Sequence, residues 1–180
     1  MKNRTLVKWL HWITFALMLY FLIDEPEVRG GAELAAKSDQ LSIHAGMGMI
    51  LGVVTLIWTV IYFRAGPLGR PGPKLSGWGK LIHRIVNSGL YWLVPSTVLT
   101  GAATGLTSTY PVLGFGVLPL NPTGWGNVDL NDLLEEVHEL AFDATVLLIG
   151  LHIAFHLWRH IGLRDNALRI MAPKVLHRYL

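Results

Sequence analysis

The chain contains no cysteine among its 180 residues. It therefore supplies no disulfide, no zinc–thiolate site, no iron–sulfur cluster and no thioether-linked haem, and any metal chemistry must run through its eight histidines. Charge is also scarce, at 15% of residues against 52% hydrophobic, and the mean hydropathy is +0.43. That composition belongs to membrane proteins. The net charge of +3 does not point to nucleic acid, because the basic residues alternate with apolar segments and do not gather on one polar face. A cleavable leader is not expected either. The first apolar run ends in Asp24 and Glu25 without a small-residue cleavage pattern, so it reads as a retained helix.

The apolar runs cover 6–23, 41–63, 81–106 and 133–161, each about the 20 residues needed to cross a bilayer. The expected fold is an all-α membrane protein, a single domain over 1–180 built as a four-helix transmembrane bundle. Lys2, Arg4 and Lys8 precede the first run, Arg64, Arg70, Lys74 and Lys80 separate the second and third, and Arg164, Arg169, Lys174 and Arg178 follow the fourth with Asp165 as the one acid. The other two connections are acidic: Asp24, Glu25, Glu27, Glu33 and Asp39 outweigh Arg29 and Lys37, and Asp129, Asp132, Glu135 and Glu136 stand without a base. An excess of Lys and Arg stays inside, which places both termini in the cytoplasm. The run Gly-Arg-Pro-Gly-Pro within 64–79 predicts a tight irregular connection. The longer connection 107–131, with Tyr110, Phe115 and Trp125, predicts a lid over the outer mouth of the bundle.

Four histidines, His11, His44, His138 and His152, lie within the apolar runs. His138 and His152 share the fourth run fourteen residues apart, a rise of about 21 Å through almost four full turns, so they point to roughly the same side at different depths. With the orientation above, His44 and His138 fall at the outer level and His11 and His152 at the inner level. Buried ionisable groups in a membrane mark function, and two pairs matched in depth suit two irons, each held between imidazoles of different helices. A six-coordinate haem of that kind has no open position for oxygen and exchanges single electrons.

His156, one turn beyond His152, faces a similar side, so depth alone leaves the inner ligand open between the two. His83 and His160, beside Arg84 and Arg159, read either as solvated interfacial residues or as quinone or propionate contacts. His177 reads as a tail residue, and Asp143 either as a proton relay near the outer site or as a carboxyl bonded to a neighbouring helix. Gly48 with Gly52, and Gly101 with Gly105, have the small-xxx-small spacing of close helix packing. Ala45, Gly46 and Gly48 also leave room for a flat macrocycle beside His44, and Pro95 predicts a kink in the third helix.

Leu-His-Trp at 10–12, Ile-His at 43–44, Val-His-Glu at 137–139, Ile-Gly-Leu-His at 149–152 and Arg-Asp-Asn-Ala-Leu-Arg-Ile-Met-Ala-Pro at 164–173 together resemble the bacterial cytochrome b561 family of small dihaem membrane proteins. The resemblance implies two haem b groups, with His152 and not His156 as the inner ligand, and a ubiquinone or other quinone. Its expected place is the inner level near Lys8, His11, His83, Arg159 and His160. Many relatives carry an arginine in the second helix where this chain has Trp58 and Tyr62, and a histidine in the third where it has Asn87. The implied function is electron transfer in the bacterial inner membrane between quinone and a periplasmic partner: superoxide, a soluble cytochrome or a dehydrogenase subunit. The alternatives are a cytochrome b anchor subunit serving a hydrogenase or dehydrogenase, and a haem-free histidine-lined transporter.

Overall fold

The computed structural model describes residues 4–24, 34–66, 71–172 and 174–179. Of the charge pattern, Lys2, Glu25, Glu27, Arg29, Glu33 and Arg70 lie outside the described residues, as do the side chains of Arg4, Lys37 and Lys174. Four helices run Arg4–Ile23 (α1), Leu34–Ala65 (α2), Gly77–Thr107 (α3) and Val128–Ile161 (α4), and a short hairpin, Val112–Gly114 (β1) with Leu118–Asn121 (β2), joins α3 to α4.

The second and fourth helices begin earlier than their apolar runs suggest. Polar side chains do not oppose a helix that has left the hydrocarbon, so α2 starts at Leu34 and α4 at Val128, where the Asn127 side chain accepts from the Leu130 amide at 3.0 Å. His44 and His138 each sit about three turns inside their helices and do not open them.

Among the described residues, 5–23, 39–65 and 128–161 are long and apolar enough to cross a membrane. The third helix, expected as a span, is less apolar because its interior is rich in Gly, Ser and Thr. Those hydroxyls are satisfied within the helix: Ser96, Thr97, Thr100, Thr104 and Thr107 each donate to a carbonyl one turn back, the usual refuge of a hydroxyl without water. Thr97 also reaches across to Thr145 at 2.9 Å, both buried, and Gly89 lets Leu148 approach the α3 backbone. Helix α3 accordingly packs along α4 more extensively than any other pair. The helix runs through Pro95 without interruption.

The apolar core lies between the two histidine levels and joins Leu10, Leu17, Met18 and Phe21 of α1 to Leu51 and Val54 of α2 and Val94 of α3. Helix α4 contributes little to it. Only Thr145 and Arg159 of its 34 residues are buried, and among the described residues its backbone approaches α3 closely but stands off from α1 and α2.

The small-residue pairs meet the packing expectation in part. Gly52 admits Val98 of α3, but Gly101 faces the ring of His138, and Gly105 faces Leu120 and Val112 of the hairpin connection. Gly46 is filled by the ring of Phe115, whereas a Cβ on Gly48 would meet nothing within 4 Å. The hairpin lies against α2, as a lid at this end would: the Phe115 amide donates to the Ser42 carbonyl at 2.9 Å. Buried Asn121 ties it to the end of α3, donating to the Ser108 carbonyl at 2.7 Å. At the other end, the segment after α4 turns through left-handed Arg164 and Asn166 and docks under α1, where Lys8 and Trp12 donate to the carbonyls of Ala172 and Met171.

Candidate haem-binding site

The four histidines of the two-level reading meet across the gap in front of α4. His44 of α2 faces His138 of α4 with ring centroids 6.4 Å apart, and His11 of α1 faces His152 of α4 at 6.3 Å. A metal–imidazole bond of about 2.0–2.1 Å plus roughly 1.1 Å from nitrogen to ring centre, taken twice, gives about 6.3 Å for two imidazoles opposed on one metal. Both pairs have that separation, each pair comes from two helices, and both bridge the space that α4 leaves open. The Nδ1 atoms of His44 and His152 are buried without a hydrogen-bond partner. Buried polar atoms in native proteins are nearly always satisfied, so these rings fit a site completed by a bound group.

Each level has its own surroundings. At the level of His44 and His138, Phe21 places its ring edge-on to His44 at 5.0 Å, and Thr100 lies 3.2 Å from His138 Nδ1. At the level of His11 and His152, the ring of His156 lies tilted 4.4 Å from that of His152 and 5.9 Å from that of His83. His83 is not a solvated interfacial residue: it is buried, and Asn87 Nδ2 donates to its Nε2 at 2.9 Å. Trp58 and Tyr62 form an aromatic cluster with Tyr91, in which Tyr62 and Tyr91 lie 4.8 Å apart.

Arg159 is buried and salt-bridged to Asp165 at 2.8 Å, with its Nη1 unpartnered, and His160 Nδ1 is likewise buried and unpartnered. A Cβ on Gly72 would strike both Arg159 Nη2 and Asp165 Oδ2, so glycine is needed there for the connection after α2 to close over the ion pair. Lys74 reinforces the closure, donating to the carbonyls of Leu163 and Arg164. Lys8 is engaged by the Ala172 carbonyl at 2.9 Å. His177 bonds within the tail to Ala172, and Asp143 is exposed on α4, bonded to no neighbouring helix among the described residues.

Sequence reasoning did not single out Thr100, and it read Phe115 only as part of an aromatic lid and Gly72 only as part of an irregular connection. Threonine in a helix carries no signal of its own, and the contacts of Phe115 and Gly72 depend on tertiary closure.

A helical membrane bundle that sets imidazoles opposite one another in pairs has the form of a membrane cytochrome b. The description "prokaryotic cytochrome b561" matches residues 3–174, and the chain belongs to that family. It is also similar to a probable superoxide oxidase, CybB, of Yersinia pestis, 26% identical over 168 residues that cover 92% of each protein. The family makes this a prokaryotic membrane cytochrome that takes part in electron transfer.

Proposed function

We propose that the chain is a dihaem b-type cytochrome of the bacterial inner membrane that carries electrons between a periplasmic partner and membrane quinone, with both termini cytoplasmic. The observation that carries the reading is the pair of cross-helix imidazole separations, 6.4 and 6.3 Å, at two levels of one helix. His44 and His138 would hold the outer haem, and His11 and His152 the inner. When bound, haem with two axial imidazoles supplies reversible one-electron exchange at iron without an open coordination site.

The rest of the chain positions and insulates. The core residues between the levels, from Leu10 to Val94, keep water away from the middle of the bundle. Gly101 gives the His138 ring room against α3. At the inner level, the unpartnered Nη1 of buried Arg159 is a donor for a carboxylate such as a propionate, and its pairing with Asp165 holds it in place without neutralising every donor. His83 and His160 remain candidates for quinone contact, whereas Lys8 is already engaged by the tail.

The likeness to a probable superoxide oxidase supports superoxide as electron donor. The charge around the outer level favours it less. Asp39 lines a cavity of about 350 Å³ together with Ser42, Ile43, Phe115 and Gly116, and a carboxylate there repels an anion while attracting a cationic protein donor. Rapid mixing of the purified protein with superoxide, with quinol and with a reduced soluble cytochrome, followed by visible absorbance, separates these donors. Reduction by at least one of them, leading to reduction of added quinone or oxidation of quinol, is the expected result. A protein with no b-type absorbance, or one inert to all of these, contradicts the reading.

A further inference from the structure

The Thr100 hydroxyl stands 3.2 Å from Nδ1 of His138, and its single proton is already engaged. Oγ1 donates to the Ser96 and Thr97 carbonyls, both at 3.0 Å. A hydroxyl has one proton and two acceptor lone pairs, so what Thr100 turns toward the imidazole is a lone pair. An imidazole nitrogen that meets an acceptor carries the ring proton, which leaves Nε2 bare and available to a metal.

We propose that Thr100 is a positioning residue for the outer haem: by accepting from Nδ1–H of His138 it selects the tautomer that offers Nε2 to iron and strengthens that nitrogen as a donor. This rests on the reading of His138 as an axial ligand. Hydrogen bonding at the remote nitrogen is the general means by which proteins orient a ligating histidine and raise its basicity, and a more basic ligand favours the ferric over the ferrous state. The α3 backbone reinforces this positioning, because the glycine after Thr100 lets the ring lie directly against the helix.

The test is a spectroelectrochemical titration of the purified holoprotein with Thr100→Val, Thr100→Ser and Thr100→Cys. Valine keeps the shape and removes the acceptor, so the outer haem is expected to shift to a more positive potential while the inner haem stays at its wild-type value. Serine restores the acceptor and should restore the potential; cysteine, a weaker acceptor, should fall between. If Thr100→Val fails to retain haem, the cysteine shift carries the comparison. An unchanged outer potential in the valine variant, or in the cysteine variant if valine loses haem, overturns the proposal. Failure of the underlying ligand reading looks different: His138→Ala would then keep both haems.

Discussion

Gly101→Ala tests the site through a single methyl group. A Cβ at this position would lie 2.7 Å from His138 Cε1, whereas ordinary contact begins at 3.4 Å, so the ring must retreat by about 0.7 Å. The neighbour is not the loose end of a flexible chain. It is a planar ring held by Thr100 on one edge. Functional metal sites hold their ligand distances to about 0.2 Å, so a retreat of that size is incompatible with an unstrained iron bond. The expected consequence is a 10–100-fold loss of outer-haem affinity, about that of disturbing a metal ligand's supporting shell. Overpacking should also cost about 1–3 kcal/mol of stability. The assay is haem loss to excess apomyoglobin, followed at the pigment of each level, with Gly52→Ala as control. Its Cβ would meet Val98 at 3.5 Å, an ordinary contact, and alanine in a helix interior should stabilise by about 0.5–1 kcal/mol. If Gly101→Ala holds both haems as firmly as wild type and melts no lower, the placement of His138 against α3 is wrong.

Two further substitutions probe the supporting structure. Asp165→Ala strands the buried Arg159 guanidinium and should cost about 3–5 kcal/mol, whereas Arg159→Met with Asp165→Leu should recover most of it; thermal unfolding in detergent measures both, and an Asp165→Ala protein as stable as wild type would show that the pair is solvated. Phe115 adopts φ 53, a left-handed conformation that costs a side-chain-bearing residue about 1–2 kcal/mol. Phe115→Gly should therefore be more stable than Phe115→Ala by about 1 kcal/mol, and the opposite order in denaturant midpoints would argue against that backbone.

The legibility of the chain varied with the range of the interactions. Apolar runs fixed the four helices, because a membrane leaves a polar backbone few alternatives, and histidine depth anticipated that His44 faces His138, but it left His152 and His156 open opposite His11, and only the resemblance chose between them. Helix ends were harder to read, since α2 and α4 continue into polar sequence once nothing opposes them. The tail motif 164–173 could be read as a family mark, but its physical reason is tertiary: Asp165 meets Arg159, and the carbonyls of Met171 and Ala172 receive Trp12 and Lys8. Gly46 and Gly101 were legible as small residues and misread in part, because what fills the space beside a glycine is decided by a ring from another element.

The most direct test of the two-level account is the pyridine haemochrome count for wild type beside His138→Ala, His152→Ala and His156→Ala. The account predicts about two haems per chain in wild type and in His156→Ala, and about one in each of the other two, with the outer haem missing from the first and the inner from the second. A colourless wild type, or a haem lost with His156 and kept without His152, would contradict it.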